Sequence, residues 1–277
     1  MRVSKMDLVK IRKLIDQTYD KGIEPDETVK QAIRETIELL DKGKIRVAEK
    51  NDNDWRVNEW VKKAILLYFK IQELTKMEIG PFEFYDKIPL KKGFDLQQVR
   101  VVPPGIARYG SYLAPGVVLM PGYVNIGAYV DSGTMVDTHA TVGSCAQVGK
   151  RVHLAGAARI GGVLEPPQST PVIIEDDVFI GSAVSVMEGV IVRNEAVLGA
   201  GVKLTASTKI IDVSGSQTVE YKGEIPSRSV VIPGSYKKKF PAGEFYVQCA
   251  LIIGKRKEST DKKVSLNQVL RDFNISV

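Results

Sequence analysis

The middle of the chain repeats an aliphatic residue every six positions. The frame starts at Ile106 and runs to Ile160 with one aromatic exception, then resumes at Ile174 and continues to Ile210 after an interruption near residues 163–173. This gives seventeen repeats, ten before the interruption and seven after it, with no slip of the frame on either side. A fixed short period of this kind is typical of repeat architectures.

The fifth position of each repeat is small or β-branched almost throughout. Positions one and five are an even number of residues apart, so both side chains point to the same side of an extended strand, whereas a helix would scatter them. Glycine and short polar residues between them suit sharp corners. A single unit cannot bury its own apolar side chains, but stacked coils can. The repeat therefore predicts a mainly β protein built around a β-solenoid.

The flanks of the repeat have a different pattern, with apolar residues at helical spacing before it and a strand-like run after it. The predicted elements are helices at 7–20, 26–41 and 58–74, a short strand at 44–49, a strand at 245–254 and a terminal helix at 265–273. We expect three domains: a mostly helical one at 1–102, the solenoid at 103–235, and a small strand-and-helix segment at 236–277.

Composition narrows the class of protein without identifying it. A chain of 277 residues can bury a sizeable core, and its 44% hydrophobic content includes no apolar run long enough to span a membrane. The amino end has no apolar secretion signal, so a cytoplasmic protein is expected, with no membrane or nucleic-acid partner. The net charge of +6 could favour anionic ligands but equally fits an ordinary surface. Two cysteines are too few for a disulfide framework, and reduced thiols are expected.

Several colinear strings add a family resemblance: RVAEK, RVVPP, VNIGAYVD, GTMVDT, IGGVLEP and IIED. Together with the tail VQCALIIGKRKESTDKKVSLNQVLRD they resemble the tetrahydrodipicolinate N-succinyltransferases, a family of hexapeptide-repeat transferases, over nearly the whole chain. The resemblance implies a left-handed parallel β-helix of triangular section, between five and six coils long for seventeen repeats. It also implies a homotrimer whose active sites lie between subunits.

The reaction that the resemblance implies moves a succinyl group from succinyl-CoA to the amine of L-2-amino-6-oxopimelate, the open form of tetrahydrodipicolinate, in the diaminopimelate and lysine pathway. Succinyl-CoA would be a co-substrate, with no permanently bound cofactor. Two alternatives stay open: an acetyl-CoA-dependent acetyltransferase acting on the same acceptor, and a catalytically weakened scaffold that binds ligands.

The resemblance assigns roles to two residues of the RVVPP and MVDT strings. Arg100 matches the family's substrate-binding arginine, and a guanidinium can hold a carboxylate through two parallel hydrogen bonds; the alternative is a salt bridge at the domain junction. Asp137 matches the family's essential aspartate, expected to bind and orient the amine and to help remove its proton. From the repeat alone, Asp137 could equally cap a corner.

Several positions depart from the family pattern, among them Ala157 and Arg159 in the string HLAGAARIGG, where a glycine-richer string is expected. His139 stands where the family usually has tryptophan, and it is either a packed imidazole or a candidate base. The string FIGSAVSVMEG has Ala183 and Ser185 where many members have an arginine and an acid. Glu188 follows three positions later and receives no catalytic role from the resemblance. These departures motivate the scaffold alternative.

Few residues of the sequence bear on CoA binding or on metal binding. Gly161 and Gly162 would let the backbone approach a ligand closely, and Lys203 could meet a phosphate, although it could also be an ordinary surface lysine. The fold also carries zinc enzymes with three histidine ligands per metal, but His139 and His153 are the only histidines of this chain. No metal site is expected.

Overall fold

The computed structural model describes residues 7–52 and 54–256. Within them, three helices and two antiparallel hairpins precede the repeat: α1 Leu8–Lys21, α2 Glu27–Asp41, β1 Ala48–Asn51, β2 Asp54–Val57, α3 Glu59–Ile71, β3 Thr75–Ile79 and β4 Phe82–Asp86. The three helices confirm the predicted ones. The strand predicted at 44–49 begins later than expected, at Ala48, and the β3–β4 hairpin was not predicted.

Each helix has one apolar face, and α1 ends at Gly22 in a left-handed conformation that suits glycine. The carboxylate of Asp26 accepts a hydrogen bond from the Val29 N–H at 2.8 Å, which caps α2. On α3 the predicted apolar stripe is buried at Trp60, Ala64 and Leu67. The helices share one apolar cluster that also contains corner residues of the repeat region.

Residues 100–204 form a series of two-residue strands joined by corners. They are β5 Arg100–Val101, β6 Ile106–Ala107, β7 Tyr112–Leu113, β8 Val118–Leu119, β9 Tyr123–Val124, β10 Tyr129–Val130, β11 Met135–Val136, β12 Thr141–Val142, β13 Gln147–Val148, β14 His153–Leu154, β15 Arg159–Ile160, β16 Ile173–Ile174, β17 Phe179–Ile180, β18 Ser185–Val186, β19 Ile191–Val192, β20 Val197–Leu198 and β21 Lys203–Leu204. The described chain ends with β22 Ile210–Asp212, β23 Val219–Tyr221, β24 Glu224–Ile225, β25 Ser229–Phe240 and β26 Gly243–Lys255.

These strands pair in parallel into the three sides of a left-handed β-helix, as predicted. Face A contains β5, β8, β11, β14, β17, β20 and β25; face B contains β6, β9, β12, β15, β18 and β21; face C contains β7, β10, β13, β16, β19 and β24. The chain passes from face A to face B at the A/B corners and from face B to face C at the B/C corners. The aliphatic ladder fills the interior as one buried cluster.

The repeat frame does slip once, contrary to the prediction. Tyr112 pairs with Tyr129, and Leu113 with Val130, so this coil falls one position short of three full hexapeptides. The inward residues of the first coil are therefore one position later than predicted: Ala107, Leu113 and Leu119 in place of Ile106, Tyr112 and Val118. The slip falls at Pro121–Gly122, where a Cβ on Gly122 would lie 2.9 Å from the Ala140 carbonyl oxygen. A glycine allows this corner to be shorter than the others.

Two insertions leave the β-helix at B/C corners. An uninterrupted coil would pair Gln147 with Glu165, but Gln147 pairs with Ile173, which places the predicted interruption between faces B and C. The predicted seventeenth repeat, at Ile210, does not continue face C, because β22 pairs with β23 and β26 and β24 takes that place. The strand predicted at 245–254 lies within β26; the predicted terminal helix lies outside the described residues.

The amino-terminal region is fixed to face C by buried polar contacts. The Arg46 guanidinium lies 3.6 Å from the centroid of the Tyr129 ring, and its Nε donates to Gln147 at 3.0 Å. Trp55 Nε1 donates to the buried carboxylate of Glu175 at 2.9 Å. None of the helices in the described residues is long and apolar enough to cross a bilayer.

Candidate active site

Asp137 lies at an A/B corner, directly after β11. Its Oδ1 accepts hydrogen bonds from the backbone N–H of Thr138 at 2.6 Å and from the Thr138 hydroxyl at 3.2 Å. Its backbone N–H donates to the Leu154 carbonyl of the next coil at 2.9 Å. The corner therefore fixes the carboxylate, while 29% of the side chain stays exposed. Asp137 makes the local contacts of a corner cap and also presents an oxygen outward.

His153 lies beside Asp137 on the next coil of face A. Its Nε2 is 4.0 Å from Asp137 Oδ2, and its ring stacks on Phe179 with centroids 5.0 Å apart and planes 3° apart. Burial lowers the pKa of His153, and the nearby Asp137 carboxylate opposes that effect. The sequence suggests His153 only as a possible zinc ligand. Three hexapeptides in each coil would stack His153 on Met135, and this spacing could have predicted that His153 lies beside Asp137.

His139 occupies the same corner as Asp137 in a left-handed conformation, with φ of 58°. It lines a small pocket of about 200 Å³ together with Pro104, Tyr123 and Thr141. Ala157 and Ala183 have the same backbone conformation at the corners of the following coils, with φ of 58° and 57°. At Ala183 this edge carries a small side chain where many members of the family have an arginine.

Arg100 lies on face A, in the same outward column as His153. Arg100 pairs with Val118 and Val118 with Met135, so Arg100 is two strands below the strand that precedes Asp137. Two strand spacings correspond to about 10 Å along the axis. A dicarboxylate or a long acyl chain could span that distance, and the exposed guanidinium is available on that face.

Three other predicted residues meet at the B/C corner rather than at the Asp137 corner. Gly161, Gly162 and Glu188 line a cavity of about 760 Å³, together with residues of the interrupted coil such as Ser169 and Thr170. Glu188 Oε2 accepts a hydrogen bond from the Ala206 backbone N–H at 3.1 Å. The remaining lining residues are Val163, Glu165, Met187, Gly189, Ala206 and Gly223.

The inserted wall of this cavity is attached to the helical region by Lys62 of α3. The Lys62 side chain is fully buried, and its Nζ donates to the Ser169 carbonyl at 2.6 Å. Burial lowers the pKa of Lys62. The two residues are 107 positions apart, and no local sequence signal indicated this contact.

Lys203 and Ser185 lie on face B, away from both corners. They occupy one outward column, since Ser185 pairs with Lys203 and Arg159 pairs with Ser185. Glu188 follows Ser185 around the B/C corner and is not part of this column. Glu188 therefore lies at a different place from position 185.

Within one chain the predicted site residues thus fall into two groups. Asp137, His139 and, two strands below, Arg100 belong to face A and its A/B corner. Gly161, Gly162 and Glu188 belong to the B/C corner, with Lys203 on the face between the two groups. Six residues at about 3.3 Å each make face B at most about 20 Å wide.

The described residues offer little support for a thiol nucleophile or a metal site. Cys145 and Cys249 are free and buried, and burial raises the pKa of Cys145 to about 12, which disfavours a thiolate nucleophile. Residues 7–52 and 54–256 contain no cluster of three or more His, Cys, Asp or Glu side chains arranged as metal ligands.

Comparison with known proteins identifies relatives of this chain. A family model described as the tetrahydrodipicolinate N-succinyltransferase N-terminal domain matches residues 10–71, and one described as the hexapeptide repeat of succinyl-transferase matches residues 171–206. A 2,3,4,5-tetrahydropyridine-2,6-dicarboxylate N-succinyltransferase of Coxiella burnetii is 56% identical over 88% of this chain and 90% of its own length. Relatives of the same name from Ehrlichia ruminantium and Paraburkholderia phymatum are 51% and 50% identical, over 91% and 94% of this chain and 91% and 98% of their own lengths.

The three-sided β-helix, one stretch of which matches the hexapeptide repeat of succinyl-transferase, places the chain in the class of hexapeptide-repeat proteins. Half or more of all aligned positions are identical to the relatives across both the helical region and the β-helix. The chain belongs to the tetrahydrodipicolinate N-succinyltransferase family.

Proposed function

We propose that this protein transfers the succinyl group of succinyl-CoA to the amine of L-2-amino-6-oxopimelate, as an enzyme of the diaminopimelate and lysine pathway in the cytoplasm. The observation that carries the proposal is the identity of 50–56% to relatives named for this reaction, over most of both chains. Those names favour the succinyl donor over acetyl-CoA and catalysis over a ligand-binding scaffold.

The chemistry requires an uncharged amine, whose lone pair attacks the thioester carbonyl carbon. A C–N bond forms, a tetrahedral oxyanion appears and collapses, and the C–S bond to CoA breaks. Asp137 is proposed to hold the amine through its outward Oδ2, because Oδ1 is already bonded to Thr138. A carboxylate alone is a weak base at neutral pH, so its main contribution is orientation and charge.

Arg100 is proposed to hold a carboxylate of the bound substrate. Its position two strands below the strand of Asp137 suits a molecule with an amine near one end and a carboxylate near the other. A guanidinium is always charged and forms a fork that matches a carboxylate. Removal of Arg100 should therefore raise KM for the acceptor more than KM for the acyl donor.

The proposed assembly is a homotrimer with active sites between subunits. Asp137 and the cavity that contains Gly161, Gly162 and Glu188 lie at opposite edges of face B in one protomer. The pocket beside His139, about 200 Å³, is small for a CoA thioester, whereas the B/C cavity of about 760 Å³ lies within the usual ligand range. Apposition of the A/B corner of one copy and the B/C corner of another would complete the site. Lys203, on the intervening face, could then meet a CoA phosphate.

The direct test measures thiol release by the purified protein with succinyl-CoA and with acetyl-CoA, each in the presence of 2-aminopimelate. We expect turnover with succinyl-CoA and a strong preference for it. Asp137→Asn should lower kcat by about 10²–10³-fold, because the charge that holds and orients the amine is lost while the corner geometry is kept.

Two results would contradict the proposal. A strong preference for acetyl-CoA would make the protein an acetyltransferase on the same acceptor. Absence of turnover with either donor, in protein that is folded and binds succinyl-CoA, would favour the scaffold alternative that Ala183 and Ser185 suggest.

A further inference from the structure

The second histidine of the chain lies at the reacting end of the proposed site. Asp137 Oδ2 and His153 Nε2 are 4.0 Å apart, on adjacent coils of face A. This separation is too long for a direct hydrogen bond. A single nitrogen atom can, however, lie about 2.9 Å from both atoms, with an angle of about 90° at that nitrogen. The pair is therefore spaced to contact one amine from two sides.

The imidazole is held in place by the repeat itself. The backbone N–H of His153 donates to the Val178 carbonyl at 3.1 Å, and the ring stacks on Phe179 of the next coil with almost parallel planes. About a third of the side chain, 32%, is exposed. The ring is thus fixed in orientation and still reachable from outside face A.

From this geometry we propose that His153 Nε2 is the base that accepts the proton of the acceptor amine, with Asp137 holding the same amine and stabilising the imidazolium. This inference rests on the proposed function. The amine lone pair forms the C–N bond to the thioester carbon, and the positively charged nitrogen of the tetrahedral intermediate gives one proton to Nε2. Collapse of the intermediate breaks the C–S bond, and the proton leaves with the CoA thiolate.

The surroundings of His153 agree with this role. Its strand neighbours on face A, Met135 and Phe179, are uncharged, and Asp137 is the charged group acting on the ring among the described residues. Burial lowers the pKa of His153 below its ordinary value, with Asp137 opposing, so the imidazole is neutral and able to accept a proton at neutral pH. His139, by contrast, lies in the small pocket next to Tyr123.

The test compares His153→Gln with His139→Gln in the full-length protein, because these are the only two histidines. Rates of thiol release from succinyl-CoA with 2-aminopimelate are measured from pH 5 to 8. We expect His153→Gln to lower kcat about 10²-fold or more, with KM for succinyl-CoA little changed, and to make the acid limb of the pH profile shallower, because only the ionisation of the acceptor amine then shapes it. His139→Gln should keep that limb. A role in folding alone would not alter the pH profile.

A second measurement keeps the proposal testable if His153→Gln does not fold. In the His139→Gln protein His153 is the sole imidazole, and its resonance can be titrated by NMR with and without 2-aminopimelate. A bound ammonium next to the ring should lower the titration midpoint.

The proposal is overturned if His153→Gln stays within about threefold of the wild-type kcat with its acid limb intact. It is equally overturned if His139→Gln makes the acid limb shallower in the same way, or if the analogue binds without moving the midpoint of His153. Failure of the wild-type protein to release thiol with either donor would count against the proposed function instead, and the NMR titration would still test the pairing of the amine with His153.

Discussion

The A/B and B/C corners of the same β-helix are built by different means. From β11 onward the A/B corners are regular: Asp137, Thr138 and His153 are placed by coils of three hexapeptides that stack without insertion, and the one-residue slip at Pro121–Gly122 lies at the A/B corner one coil earlier. The B/C corners carry the helical cluster, the interrupted coil between Gln147 and Ile173, and the cavity with Glu188. One corner repeats a simple geometry, and the other depends on contacts between distant parts of the chain.

This difference suggests that the two corners have different roles in the proposed site: one orients the reacting groups and the other binds the acyl donor. A regular ladder can fix a few reacting groups within fractions of an ångström, as catalysis requires. An irregular wall with an insertion can form a cavity large enough for a bulky acyl donor. The two corners are on opposite edges of face B. In the proposed trimer each protomer would therefore contribute its A/B corner to one active site and its B/C corner to another.

The largest expected effect comes from inactivating the two corners in separate variants and then mixing the two chains. Asp137→Asn alters the A/B corner, and Ala206→Trp fills the B/C cavity from an exposed position. Each variant alone should lose about 10²-fold or more of the activity. Refolding an equal mixture of both chains should restore about a quarter of wild-type thiol release, because random assembly joins two intact corners at that frequency. Mixtures that stay inactive would mean that one protomer supplies both corners, and an Ala206→Trp protein that keeps its activity would mean that the cavity is not used.

The sequence predicted the regular parts of the fold because every coil buries the same position. The ladder, the parallel pairing and the interruption follow from a period of six, and the helices follow from their apolar stripes and the cap at Asp26. The slip at Pro121–Gly122 was missed, since Ile106 and Val118 are aliphatic like the true inward residues Ala107 and Leu119. The slip results from the backbone conformation of a single corner, which the pattern of aliphatic residues does not reveal.

The candidate site was predictable only in part, because only some of its residues follow the repeat or match the family strings. Asp137 and Arg100 came from the family resemblance and not from the repeat, where a polar corner residue has many causes. His153 could have been placed beside Asp137 by stacking the sequence with three hexapeptides in each coil. The contact between Lys62 and Ser169 could not, because it joins a helix to an insertion and follows no period.

A smaller effect should follow from releasing the cavity wall. Lys62→Met removes the hydrogen bond to the Ser169 carbonyl and also removes the desolvation cost of a buried ammonium, and these contributions to the free energy of unfolding oppose each other. We therefore expect little change in the melting temperature but a rise of about three- to tenfold in KM for succinyl-CoA, because the wall loses its anchor.

The matched control for that variant is Lys63→Met, one residue further along α3. Lys63 pairs with Asp16 and Asp20 of α1 at 3.0 and 2.8 Å, so its loss touches the helical region and not the insertion. KM for succinyl-CoA should stay at the wild-type value. An equal rise in both variants would show that any loosening of the helices disturbs the cavity, and would remove Lys62 as a specific anchor.

The smallest expected effect concerns how stability depends on pH at the A/B corner. Burial lowers the pKa of folded His153 below the ordinary value of 6.5, and Asp137 opposes this shift. Between the two pKa values the unfolded chain binds more protons than the folded one, so the free energy of unfolding rises with pH through that window and falls as the pH drops below 6.5. In denaturant titrations at fixed ionic strength, His153→Gln should flatten this slope, and Asp137→Asn should steepen it by removing the opposing charge. An unchanged slope in Asp137→Asn would show that the carboxylate and the imidazole are not coupled across their 4.0 Å separation.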